Sequence, residues 1–460
     1  MKTTNYKTLK TLTLSIFMGF GVLSTQAQIY VNASASGDNN GTSWSNAYTN
    51  LQPALDAASP GAEIRVAAGT YKPTEAPDGS TDDDRNRAFH FNKNLVLKGS
   101  YNPATNTQDF ANQSILSGDF NDDDVITGSG SSLSITGNSE NAYHVLITEG
   151  LTSATQIEGF LITGGHADDS DSGTISYSGK SIYKNSGGGM HNSSSSPSIV
   201  NTVFSGNSAT KGGGMYNISS SPSIVNTVFS GNSAPTGGGI RNSSSSTSTI
   251  SNSVFYGNGS DIANSSSSGA TGEHNFSENY SGTGFTALGA DPFHDSSNPK
   301  GSDGEWFTDD DGLQPSSTSP LIDAGNTTKL PADTADLDGD GNTSETIPFD
   351  IIGRNRVLDT SVDVGAYEFD STVTLSVKDI DSGSLDIYST GHKTLVIHGV
   401  LNAKTTANVY SLLGKLVASK TFEKFSTSNS VDVSTLRTGI YIVKIHNTNH
   451  QVKTKKLFIQ

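Results

Sequence analysis

The chain has 460 residues and a formal net charge of −17, with 33% hydrophobic residues, 49 glycines and no cysteine. Without cysteine it has no disulfide framework and no thiol chemistry, and a chain so rich in glycine and poor in apolar residues suits a repetitive β architecture better than a thick helical core. The acidic balance speaks against nucleic acid or an anionic membrane as the main partner. From Val377 onward, however, eleven Lys or Arg stand against five Asp or Glu, so the last part of the chain is basic and the rest strongly acidic.

Lys2, Lys7 and Lys10 precede an apolar stretch from Leu12 to Leu23 that ends in Ser-Thr-Gln-Ala-Gln28. This is the pattern of a secretory signal peptide over residues 1–27, cleaved after Ala27. The apolar run is short for a membrane span, and no other stretch is long and apolar enough to be a transmembrane helix.

Ser45 to Ala58 reads as an amphipathic helix, with Ala47, Leu51, Ala54, Leu55 and Ala58 on one side and Ser59-Pro60-Gly61 ending it. Such a helix, placed ahead of a stack of strands, can cover the open core and the first strand edge. Arg65 to Tyr71, Phe89 to Ser100, Asn141 to Ile147 and Ile157 to Ala167 look like successive coils, with loops projecting around Asp82-Asp83-Asp84 and from Asp168 to Ser178. Residues 29–48, this helix and Pro60 to Tyr71 together resemble the entry of secreted right-handed parallel β-helix proteins, a group that includes polysaccharide lyases. That resemblance implies a fold and no particular activity.

The middle of the chain repeats. Gly187 to Ala209 recurs from Gly212 to Ala234 and, more loosely, from Gly237 to Asn258, a period of 25 with one residue inserted before Ile250; a degraded fourth copy follows from Asp261 to Asn279. Short strands with Gly and Asn at fixed corners and no helical periodicity match coils of a parallel β-helix. Stacking puts Phe204, Phe229, Phe255 and Phe276 in one column and Met190, Met215, Ile240 and Ile262 in another. Asn207, Asn232, Asn258 and Asn279 form one polar ladder, and Asn192, Asn217, Asn242 and Asn264 a second, in which each amide can bond the next. These ladders are read as structural, since stacked Asn at coil corners satisfies turn backbone.

Residues 290–370 form a third region. Gly304 to Leu313, Ser319 to Gly325 and Asp363 to Glu368 resemble the choice-of-anchor extension that follows such coils in bacterial surface proteins, a resemblance that implies an anchor or sorting signal downstream. The region is expected to complete the last coils and cap them. Asp336-Leu-Asp-Gly-Asp-Gly-Asn342 supplies Asp336, Asp338, Asp340 and Asn342 in the spacing of a calcium loop, with Ile347 where the bidentate acid should stand. Calcium is therefore the one cofactor the sequence suggests, and a solvated acidic turn is the other reading; Asp309-Asp-Asp311 is a lesser candidate.

After a linker at 371–376, residues 377–460 alternate as short strands between Gly turns, an all-β module of immunoglobulin-like sandwich type. Asn408 to Val417, Val431 to Ile445 and Lys455 to Ile459 closely resemble the C-terminal sorting domain of Bacteroidota type IX secretion substrates. The resemblance implies export by that machinery, to the medium or the outer-membrane surface.

The whole is expected to be all-β: a right-handed parallel β-helix over 28–289, with its 25-residue repeats at about 187–280, followed by the extension and the sandwich. No catalytic residue stands out. His191, Tyr216 and Arg241 share a column and, with Lys211, would make a polar and aromatic strip for a sugar chain if that column faces outward. A lyase needs a base and a cation or basic group for the uronate carboxylate; a glycosidase needs two flanking carboxylates, for which Glu158, Asp168 and Asp169 are the loop acids available. The leading reading is a non-enzymatic surface protein that binds glycan or matrix, and the alternative is a polysaccharide lyase.

Overall fold

The structure is a computed structural model that describes residues 28–108, 113–171, 173–301, 304, 306–308, 310–333, 336–370, 386–390, 394–398, 404–411, 415–422, 429–447 and 452–459. The expected signal peptide, Asp309 and the linker at 371–376 lie outside the described residues. The chain divides into two compact units, Met1–Asp370 and Ser371–Gln460.

In the first unit each coil contributes one short strand to each of three parallel sheets. In the central repeats the first sheet holds Ser198–Val200 and Ser223–Val225, the second Val203–Ser205 and Val228–Ser230, and the third Met190–Ser193 and Met215–Ile218. Residues 25 apart are direct ladder partners: Met190 with Met215, Ile199 with Ile224, Phe204 with Phe229. Alternate side chains point inward, and the interior is one continuous apolar stack from Leu51 to Ala270. This is the right-handed parallel β-helix expected from the repeat.

The phenyl rings of Phe204, Phe229 and Phe255 stack at 4.7 Å with planes within 4°. Phe276 does not continue the column. In the degraded copy the register slips by one, so that Phe255 pairs with Ser277 and Phe276 with Val254, which turns Phe276 to the outer face. Phe285 takes the inner place, tilted 55° against Phe255, and with Tyr280 packs on the last coil. The Asn192, Asn217, Asn242 and Asn264 ladder forms with amide bonds of 2.8, 2.9 and 2.9 Å. The other ladder runs from Asn207 through Asn232 to Asn258 and then departs from expectation: Asn258 donates to Asp261 instead of reaching Asn279.

The cap helix is shorter than its apolar pattern, Leu51–Ala57 rather than 45–58. The Asn50 side chain accepts from the Gln52 amide and fixes the start, while the Ser45 and Asn46 carbonyls are taken by the turn amides of Gly37, Asn40 and Gly41. Its buried face, Leu51, Ala54 and Leu55, closes the first coil.

The extension does not add coils. Among the described residues of 290–370 there is no strand in the three sheets; the segment lies along the outer flank of the second sheet instead. The cause is visible in the register: Leu161, Val203, Val228 and Val254 form an outward apolar column, and Leu288, Phe293, Leu313, Leu321, Ile351 and Tyr367 cover it as a second core. Buried charge fastens this cover. Arg356, 1% exposed, donates to the carbonyls of Asp363, Gly365 and Ala366 and lies 3.3 Å from the Glu368 carboxylate.

The second unit pairs a three-stranded antiparallel sheet with a four-stranded one. Inward residues of both, among them Ile387, Leu395, Val409, Val443 and Ile459, make its own core.

Candidate functional site

The second-to-third-sheet corner is where the coils depart from regularity. Loops 72–88, 118–145 and 164–189 all leave there, from three successive coils. Arg85 ties them together: its Nε donates to the Asn141 carbonyl (2.8 Å), and one terminal nitrogen to the His166 carbonyl (2.7 Å) and to Asp168 Oδ1 (2.6 Å). Its guanidinium also lies 4.1 Å from the centre of the Tyr143 ring, with Lys184 Nζ 5.0 Å from the same ring. Asp168 is thus a fastener, bonded to Arg85 and 3.2 Å from His166 Nε2. Asp169 accepts from the Asp171 amide in its own turn. Glu158 is not a loop acid. It is buried on the first sheet, 3.1 Å from the equally buried Lys98.

Below this corner the expected sugar-facing column exists in register, His191 beside Tyr216 beside Arg241, but two of its members are covered. His191 is 1% and Tyr216 6% exposed, with the Gly187 backbone close against Tyr216 and His144 packed on His191. Arg241 is half-buried and Lys211 exposed. His191 is ringed by His144 at 5.5 Å and Tyr216 at 5.2 Å between centroids. Burial holds both imidazoles neutral, His144 down to about 4 and His191 well below its usual range. His144 keeps one partner, the Gly187 carbonyl at 2.8 Å from Nδ1. Sequence reasoning did not find this pair, since His144 lies in an irregular coil outside the repeat.

The acidic loop at 336–342 does gather its carboxylates. Oxygens of Asp336, Asp338 and Asp340 lie within 4.8 Å of one another, and so do those of Asp333, Asp338 and Glu345. Ile347, at the position where the bidentate acid was missing, is buried in a small core with Leu330, Leu337 and Val362, and Glu345 stands at the cluster instead. Asn342 turns aside, its amide donating to Glu345 and its oxygen accepting from Ser344. Desolvation, and then the negative charge of Asp340, Asp338 and Asp336, pushes the Glu345 carboxyl up. This arrangement could hold a hard cation through Asp333, Asp336, Asp338, Asp340 and Glu345.

The second unit carries a site of another kind. Its last strand, Val452–Ile459, pairs antiparallel along Gly439–Asn447, with Tyr441 opposite Leu457 and Ile459 buried. Residues 392–460 match the family described as the secretion system C-terminal sorting domain. The module is a type IX secretion sorting domain. The sorting domain places the protein outside the cell, secreted or attached at the cell surface. Among the described residues no helix is long and apolar enough to cross a membrane. No curated protein matches the chain. Among solved structures, the crystal structure of pectate lyase Pel9A is similar over 75% of this chain and 97% of that one, at 14% identity and a TM-score of 0.25, a likeness too loose to add to the fold traced above.

Proposed function

We propose that the β-helix body is a non-enzymatic binding module, carried out of the cell by the sorting domain to contact glycan or matrix at the cell surface. What supports this reading is the state of the ionisable groups on the coils and their loops. A lyase base must reach the substrate proton, yet His144, His191 and Tyr216 are buried and Arg85 is bonded to two carbonyls and a carboxylate. Lys211 and Arg241 remain on the third-sheet side, exposed and half-buried, and half-buried or exposed Ser194, Ser196, Ser219 and Ser221 follow the ends of the third-sheet strands. Two accessible cations and a row of hydroxyls on the same side suit an extended, weakly acidic sugar chain.

The test is to pass the exported protein over immobilised alginate, pectin and chondroitin, and to follow unsaturated-uronate absorbance in the same mixtures with and without calcium. Retention on at least one glycan, weakened several-fold in Lys211→Ala/Arg241→Ala, with no absorbance change, is the expected outcome. Formation of unsaturated product would replace this reading with a lyase. Deleting 377–460 should retain the folded body in the periplasm, measured by fractionation.

A further inference from the structure

The loop 118–145 holds a second acidic cluster, remote in sequence from the 336–342 turn and absent from the motifs above. Asp119, just past the strand Ser114–Ser117, accepts from the amides of Asn121 (3.1 Å) and Asp122 (2.7 Å) on Oδ1 and of Asp124 (3.1 Å) on Oδ2. The chain is thereby wound around its carboxylate. Carboxylate oxygens of Asp119, Asp123 and Glu140 lie within 4.8 Å of one another, and Asp124 joins them through Asn141.

Asn141 is what separates this cluster from an ordinary acidic surface. It is 0% exposed, and its amide nitrogen donates to Asp124 Oδ2 at 2.8 Å, so the side chain reaches into the cluster. Its Oδ1 has no hydrogen-bond partner, and neither does Asp124 Oδ1 or Glu140 Oε1, all three shielded from solvent. Buried acceptors without donors are costly. The cations of the neighbouring loops are engaged elsewhere: Lys72 with Asp122, Arg85 with Asp168, Arg87 with Asp84.

We propose that Asp119, Asp123, Asp124, Glu140 and the Asn141 side-chain oxygen form a calcium site. The donor set is all oxygen, with no imidazole or thiolate, which selects a hard cation. Calcium holds its ligands at about 2.3–2.6 Å, so oxygens around it lie up to about 5 Å apart, a span that the oxygens of Asp119, Asp123 and Glu140, within 4.8 Å of one another, do not exceed. Magnesium, at about 2.0–2.1 Å, needs a tighter shell.

The site has a structural consequence. Asp119 to Asp124 leads into the hairpin Val125–Thr127/Ser134–Thr136, and Glu140 and Asn141 follow its exit, so a cation there ties the two ends of the hairpin at its root. The hairpin lies as a strap across the corner turns of later coils. Gly130 donates to the Gly257 carbonyl at 3.0 Å, and Ile126 fits where a side chain at Gly206 would stand, 2.5 Å from such a Cβ. Gly206, at φ 71°, is glycine for both reasons, the left-handed turn and the strap above it, whereas Gly231, at φ 65°, needs glycine for the turn alone.

The experiment titrates calcium chloride into the full chain carrying Asp338→Ala, which disables the 336–342 loop, and follows heat of binding together with limited proteolysis. Saturable binding is expected to persist in Asp338→Ala and to weaken at least ten-fold when Asp123→Asn and Glu140→Gln are added. Chelator should speed cleavage within 118–141 ten-fold or more in Asp338→Ala and leave the added variant unaffected. Should the added variant misfold, Asp123→Asn alone, at an exposed position, serves with the same readouts. Absence of saturable binding in Asp338→Ala, or binding unchanged by the loop substitutions, overturns the proposal.

Discussion

The regular coils and the extension that covers their flank are both built on buried apolar residues, yet they are held in opposite ways. In the coils each core residue meets its own equivalent one turn away, as Phe229 meets Phe204 and Phe255, and polar groups are satisfied by ladders of identical amides. In the extension no column repeats. The cover is pinned by a few buried charges, with Arg356 reaching three carbonyls and Glu368. Repetition spreads stability over many nearest-neighbour contacts, whereas an aperiodic cover concentrates it in a few groups that have no substitute.

That contrast can be broken most sharply at Arg356. Arg356→Met should cost about 3–5 kcal/mol, because it removes the buried donor shared by the carbonyls of Asp363, Gly365 and Ala366 and the Glu368 side chain, and calorimetry should show the cover melting ahead of the coils. A single unshifted transition would mean that the two regions share their stability after all. Phe229→Ala should cost about 3–5 kcal/mol as a large-to-small change in a stacked core, read from denaturant midpoints. Phe276→Ala should cost only about 1 kcal/mol, since this ring is half-buried on the flank; equality of the two would put Phe276 back inside the coil.

The histidine pair sets a further, smaller test within the coils. His144 sits at about 4 in the folded chain against roughly 6.5 when unfolded, held down by burial with Lys184 adding repulsion and the Gly187 carbonyl opposing both. Between these values the unfolded chain binds more protons, so stability should rise with pH, and it should fall by roughly 3 kcal/mol as pH drops from 6.5 to 4. His144→Gln should remove that share of the slope and leave the share due to His191, which is also held well below its usual range. A slope unchanged in the variant would assign the acid sensitivity to other groups. Smallest is the expected effect at the 336–342 loop: chelator should lower the melting temperature by a few degrees at most, and Asp338→Ala should remove that part of the shift.

Much of this architecture was legible before any coordinates. The 25-residue period by itself determined the parallel stacking, the inner Phe and Met columns and the Asn192 to Asn264 ladder, because equal spacing in sequence becomes direct adjacency once coils stack. The C-terminal strands and their Gly turns likewise determined a small all-β module, and its resemblance to the type IX sorting domain supplied the role that the family match bears out. Where the repeat decays, sequence lost its grip: one slipped residue turned Phe276 outward and gave its place to Phe285, which no spacing rule selects. That His191 and Tyr216 are buried depends on what packs outside their strands, including His144 of an irregular coil, which carries no periodic trace. The same holds for Arg85 joining three loops, for the extension lying on the outer valine column rather than ending the stack, and for Asp119, Asp123, Asp124, Glu140 and Asn141 meeting across a hairpin. Each depends on which segments a tertiary path brings together, and irregular loops, unlike coils, carry no repeat from which that path can be read.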